Sequence, residues 1–295
     1  MAMKRKEKFI FWGLAAFMAA FIVAVCLFSN INSLYSIPLQ TPKEFLSSMP
    51  YITFAAFGQE FVLIQPSSTF FVYFLGLMMI ILGSYFLKTK KDEISRFFLG
   101  VGFIVWGISA VAAGTSYQAF GYELKCRGHQ YCLFTSNWEL VYMLLAAYSI
   151  NLLMTALAYG TVKEKGRKII IKFAVIDSIA YSIYMLIGSV IPNRFIISYN
   201  GFIAFVGINF IFMFILNVQQ YLKYKDKFNR NMIIIWVGFI FVNAGYFIFL
   251  YGGFAAPLYN NYGIWFNAND VLHILLIGWA LLIFLLIRKP VQRQA

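Results

Sequence analysis

The residues able to do chemistry stand at the edges of long apolar runs. His273 closes the polar stretch Phe266-Asn267-Ala268-Asn269-Asp270-Val271-Leu272-His273 and is followed by ILLIGWALLIFLLI, so an imidazole enters an apolar helix. Asn269 and Asp270 precede it by four and three residues, one helical turn, where an amide or a carboxylate can orient the ring. Ser116 in AGTSYQAFGYEL and Glu139 in NWELVYML mark the ends of two further apolar runs. With His273 they make a candidate catalytic set. The imidazole or a bound metal activates water, Glu139 serves as base or ligand, and Ser116 stabilises an oxyanion. Gln118, Glu123, Tyr142, Asn269 and Asp270 are candidate binding residues, and Ser116 and Glu123 share a face if their helix continues.

Each of these groups also has a structural use. Asn267 or Asn269 is a good N-cap, and Asp270 and Glu139 in first turns favour the positive end of a helix dipole. Trp138 and Trp265 suit a membrane interface. Capping does not account for His273, which lies a full turn further in.

The elements that must position these groups are membrane spans. With 61% hydrophobic, 20% aromatic and 12% charged residues, the 295-residue chain is too apolar for a soluble domain and reads as an all-α polytopic membrane protein. Apolar runs predict eight spans: 9–28, 69–87, 97 through GVGFIVWGISAVAAGTSYQAF, 138–160, 169–191, 200–221, 232–251 and 269–287. About 20 residues at about 1.5 Å each cross a hydrocarbon core of roughly 30 Å. The first run competes with a signal peptide, but it is longer than the usual roughly 7–15 apolar residues and no A-x-A-like site follows. A lipoprotein-type cut before Cys26 is opposed by the size of Val25. The layout is then a basic tail and anchor span over 1–29, a loop over 30–68 that lies on the membrane or caps the bundle, a seven-helix core over 69–288, and a tail over 289–295.

Charge sets the direction of threading. Twenty of the 24 lysines and arginines fall on segments facing one side, leaving Lys43, Lys125, Arg127 and Arg194 on the other. The positive-inside rule therefore predicts cytoplasmic N and C termini and places Ser116, Glu139 and His273 at the exoplasmic rim. Topology and anionic lipid headgroups account for the net charge of +13, so membrane lipids are expected partners and nucleic acid is not. Cys126 and Cys132 bracket the exoplasmic loop CRGHQYC and suit a disulfide. Read with His129 they are instead three metal ligands, an incomplete zinc set. Cys26 is left without a partner cysteine. Asp177 falls inside the fifth span and must be paired with Ser178, Tyr181 or a neighbouring helix, protonated, or facing a wet cavity.

Without the first span, the remaining seven-helix core resembles the alkaline ceramidase and progestin/adiponectin-receptor group, the CREST superfamily. AGTSYQAFGYEL resembles its G-x-G-S-x-x-F-H segment, with Ser116 at the Ser position. NWELVYML resembles the segment bearing an acid, with Glu139 there, and NANDVLHILLIGWALLIF resembles the segment ending in the second His of H-x-x-x-H, which is His273. The resemblance implies a hydrolase in which a zinc-bound water attacks a lipid amide. Asn269 replaces the first His of that pair, and Phe120 and Gly121 stand where another His belongs. A divalent metal held by His273, Glu139 and Asp270 would have oxygen-rich ligation, which suits Mn, Mg or Ca as well as Zn.

Three functional expectations result. The first is an integral membrane protein with an exoplasmic-side polar pocket for a small-molecule or lipid ligand, in a sensory or binding role. The second is a CREST-like membrane hydrolase. The third is a transporter coupled through Asp177, against which stand the lack of an evident inverted repeat and of Gly/Pro-broken spans.

Overall fold

Residues 5–288 are described by the computed structural model. Both predicted terminal tails, with Lys4, Lys289 and Arg293 of the charge pattern, lie largely or wholly outside the described residues. Helix α1 (Arg5–Phe28) leads through a short 3-10 turn to α2 (Pro42–Ser47) and a hairpin of β1 (Tyr51–Ala56) and β2 (Gln59–Ile64). Then come α3 (Pro66–Lys88), α4 (Ile94–Gly114), a π turn (Thr115–Ala119), α5 (Gly121–Lys125) and α6 (Asn137–Thr161). The chain continues through α7 (Glu164–Val190), α8 (Tyr199–Tyr224), α9 (Lys227–Tyr251), α10 (Ala255–Tyr262) and α11 (Ala268–Ile287). Among the described residues, eight helices are long and apolar enough to cross a membrane: α1, α3, α4 with its π turn, α6, α7, α8, α9 and α11. They match the eight expected spans in order, and the protein is an all-α polytopic membrane protein.

Local chemistry explains where these helices start and stop. Ser136, Ser198, Asp226 and Asn267 each cap a helix N-terminus through a side-chain oxygen. Pro66 opens α3, and Pro192 lies just beyond the end of α7. The connections 89–93, 162–163 and 225–226 are short enough to force antiparallel neighbours at one end of the bundle. All longer connections gather at the other, which carries Cys126 and Cys132 and is called the disulfide end below.

Six spans close into a ring. α3 packs on α4, α4 on α6, α6 on α8, α8 on α9, α9 on α11, and α11 back on α3. α7 lies outside this ring against α6, and α1 lies against α7 and α6. The expected anchor plus seven-helix bundle is thus more finely a six-helix ring with two outer helices. α6 joins the layers: 83% of its apolar window is buried, against 6% for α1 and 17% for α9. The tightest seam is α3–α4, where glycines meet in two antiparallel pairs. A Cβ on Gly107 would stand 2.5 Å from the Gly76 carbonyl oxygen, and one on Gly83 the same distance from that of Gly100. Small residues of this kind let helix backbones approach closely within a membrane.

The predicted 30–68 loop contains the hairpin, a short sheet that the all-α reading did not specify. Its turn residues Phe57 and Gly58 both have positive φ, 53° and 76°, as a two-residue hairpin turn requires. Val62 and Ile64 of β2 are buried while the outer strand is exposed, so the hairpin caps the disulfide end on one face only.

Candidate functional site

The site begins where α4 stops being an α-helix. In the π turn the Phe120 N–H donates to the Thr115 carbonyl at 2.8 Å, five residues back instead of four. Gly121 permits the tight wrap that follows, since a Cβ there would stand 2.7 Å from the Ser116 carbonyl oxygen. A wide turn of this sort redirects the side chains after it and recurs at functional sites. Here Ser116 meets α6, while Tyr117 and Gln118 line the interior of the ring.

Ser116 and Glu139 are in contact. The Ser116 hydroxyl lies 3.0 Å from Glu139 Oε1 and 2.6 Å from the Ser136 hydroxyl. Lys125 Nζ donates to the same Oε1 at 2.8 Å, and Thr135 donates to Oε2 at 2.9 Å. Every member is buried or nearly so, and Ser136 is also the N-cap of α6. Lys125 reaches this position because Cys126 and Cys132 close the next loop, S–S 2.05 Å, and the Leu133 N–H bonds the Lys125 carbonyl. The arrangement is a satisfied ion pair.

The remaining candidates divide between two other places. Glu123 does not join Ser116, because the π turn breaks the helix the shared face required. It accepts instead from the Val62 N–H and from Arg127 Nε, each at 2.7 Å, and so ties the hairpin to the disulfide loop. Asp270 is fully buried in a capping box, accepting from the Asn267 N–H at 2.8 Å while Asn267 accepts from the Asp270 N–H. Neither the Asn269 nor the Asp270 side chain bonds the His273 ring, whose Nδ1 is buried without a partner of hydrogen-bonding geometry, although the Asn269 backbone still acts on the ring. Among the described residues no three His, Cys, Asp or Glu side chains gather in a metal-holding group. His129 is exposed on its loop, beside the disulfide.

Asn269 and His273 instead face a cavity of about 400 Å³ inside the ring, with Gln118 and Tyr142 among its walls. All six ring helices contribute. Trp106, Phe210, Trp236, Phe239 and Trp279 supply aromatic walls, and Tyr117, Tyr199, Asn243 and Tyr246 add polar edges toward the disulfide end. Among the described residues, no Asp, Glu, Lys or Arg lines it. Gln118 is 4% exposed, and its Oε1, like His273 Nδ1, has no hydrogen-bond partner in the protein. Sequence reasoning missed Tyr117, Asn243 and Tyr246, although Asn243 and Tyr246, at i and i+3 within an apolar span, were a readable polar face. It also missed Lys125, Thr135 and Ser136 as partners of Glu139.

Away from the cavity, Asp177 accepts at Oδ2 from Asn151 of α6 and Asn209 of α8, both at 2.9 Å. The expected pairing partner is thus a neighbouring helix on each side, and neither Ser178 nor Tyr181. No protein-family model matches the chain, and no curated protein and no solved structure is significantly similar to it.

Proposed function

We propose that this integral membrane protein binds a small-molecule or lipid ligand in the cavity of its six-helix ring, in a sensory or binding role. The observation that carries the reading is the cavity itself, about 400 Å³ between six spans, largely apolar with many aromatic side chains and edged at one end by Gln118, Asn269 and His273. Apolar clefts of this size with a few placed polar groups are what drug-sized ligands occupy. The charge pattern and the disulfide support an exoplasmic disulfide end. An impermeant thiol reagent that labels Cys126 and Cys132 in intact cells only after reduction tests that orientation.

Ala146 lines the cavity, so Ala146→Phe fills it from within. The purified protein should retain a defined small molecule or lipid that mass spectrometry identifies, and Ala146→Phe should lose it while keeping its melting temperature. A wild-type protein that retains nothing stoichiometric, and whose melting temperature no lipid or small molecule shifts, would overturn the reading.

A CREST-like hydrolase is favoured by the Ser116–Glu139 contact and opposed by Lys125 on the same carboxylate oxygen. Lipid amide cleavage lost in both Ser116→Ala and Glu139→Gln would restore it. Asp177, bonded by two asparagines and not among the residues lining the cavity, gives a transporter reading less support.

A further inference from the structure

Resting on that reading, we infer that the ligand is an uncharged amphipath with a hydroxyl or carboxamide head and an apolar body. Three features of the cavity carry this, and the first is charge. Among the described residues, no carboxylate, ammonium or guanidinium lines the walls. Two acids on helices that line the cavity are engaged elsewhere, Glu139 with Lys125 and Asp270 through Oδ2 in its capping box, while Asp270 Oδ1 is buried without a partner and outside the lining. An ionised head would enter a low-dielectric space without a counter-charge, which is costly unless it is paired.

The second feature is the pattern of unmet hydrogen bonds. Among the residues that line the cavity, Gln118 Oε1 and His273 Nδ1 are buried without partners, whereas other polar groups of its wall are satisfied. Ser109 and Ser149, also on the cavity wall, bond the carbonyls of Tyr142 and Gly102, and the Asn243 amide bonds that of Phe239. Buried polar groups are ordinarily paired, and two exceptions facing one cavity mark where a ligand head belongs. A carboxamide and a neutral imidazole each both donate and accept. Their complement is a group that does the same, which a hydroxyl or an amide is and an ether, an ester or a hydrocarbon is not.

The third feature is the body of the space. Below the polar edge the walls become Trp106, Phe210, Trp236, Phe239, Leu276 and Trp279. Both Trp236 and Trp279 are fixed by indole N–H bonds, to Asn217 Oδ1 at 2.9 Å and to the Ile235 carbonyl at 2.7 Å. Those indoles spend their donors on the protein and turn only apolar surface inward. The ligand body must therefore be apolar.

Three of the six tryptophans line the cavity, so bound bromine quenches them. The experiment uses the full chain in lipid nanodiscs and a matched series at neutral pH: ω-bromoundecanol, the corresponding carboxamide, carboxylate and ammonium, and bromoundecane. Quenching that disappears in Ala146→Phe defines cavity binding. The alcohol and carboxamide should bind roughly tenfold or more tighter than the carboxylate and ammonium. Gln118→Leu and His273→Leu should each weaken the alcohol by roughly five- to tenfold, the scale of one hydrogen bond, while leaving bromoundecane unchanged. Retained bromoundecane binding also shows that each variant is folded, and if a leucine variant fails this control, Gln118→Glu carries the same test by adding a wall charge that should favour the ammonium. A carboxylate or ammonium that binds wild type as tightly as the alcohol overturns the inference while the binding reading stands. Equal weakening of every head group in Gln118→Leu and His273→Leu also overturns it. Quenching by no member, in a protein that retains no ligand, overturns the binding reading itself.

Discussion

Removing the Glu139 carboxylate tests whether the cluster beside the cavity is structural. Glu139→Ala deletes the acceptor of Ser116, Lys125 and Thr135 at once. Two magnitudes bracket the result. An exposed ion pair is worth about 0–1 kcal/mol, whereas removing one partner of a buried pair costs about 3–5 kcal/mol. The side chains of Lys125 and Glu139 are 13% and 4% exposed, so the pair belongs near the buried limit, relieved in part because the lysine can turn toward the rim. Ser116 keeps Ser136 as a partner, which limits the further loss. The expected destabilisation is about 3 kcal/mol. Glu139→Gln keeps the shape and an acceptor, and should cost about half as much. Lys125→Met with Glu139→Gln removes both charges, so the double variant should be more stable than the sum of the single losses by about 1–3 kcal/mol. Reversible unfolding of the purified protein in mixed micelles, followed by tryptophan fluorescence, measures all four. A loss under about 1 kcal/mol for Glu139→Ala, or strict additivity in the double variant, would refute the buried-pair account.

Further outcomes follow from other contacts. Gly107→Ala places a methyl group against the Gly76 carbonyl and should cost about 1–3 kcal/mol, while Gly207→Ala, with nothing within 4 Å, should be neutral or slightly stabilising; equal melting temperatures would contradict the seam. Asp177→Leu strands the amides of Asn151 and Asn209 and should cost about 1–3 kcal/mol, much of which replacing all three residues by leucine should restore; a silent single variant would show that the clamp contributes nothing. The backbone and side-chain hydrogen bonds from Thr41 hold the Glu44 carboxyl below its ordinary range, so its contribution is present above the unfolded pKa and lost as pH falls through the folded one. Hydrogen exchange at the Thr41 amide should accordingly keep its protection at neutral pH and lose it in acid, relative to a Glu44→Gln control; protection independent of pH would contradict the capping box.

Legibility followed the physics of each element. A twenty-residue apolar run has one stable outcome in a bilayer, which is why all eight spans could be read. Cys126 and Cys132 were legible because a short loop leaves them few alternatives. The sequence put Ser116 and Glu139 at the same end of the bundle, but not in contact, because helix ends that share a membrane face need not be neighbours. The π turn was not legible, since a single extra residue in a turn leaves no periodic trace, and with it went the shared face of Ser116 and Glu123. Lys125 and Arg96 were counted only as charges. Charge carries no sign of burial, yet Arg96 is 3% exposed, bonds the Arg288 carbonyl and Thr89, and joins α4 to the end of α11.

His273 shows how a small energy difference redirected the chemistry. Its spacing from Asn269 and Asp270 allowed either side chain to orient the ring, a helical pair worth about 0.2–0.5 kcal/mol. The same residues could cap α11, and a good N-cap is worth about 1 kcal/mol. Which asparagine caps decides the fate of Asp270. With Asn269 as the cap, Asp270 would be free to reach the imidazole. With Asn267 as the cap, Asp270 falls at the third helical position and is consumed by the capping box, and this is what the structure shows. The stronger local interaction therefore takes the carboxylate away from the histidine. What remains is an imidazole without an orienting acid, its Nδ1 unpaired at the wall of an apolar cavity.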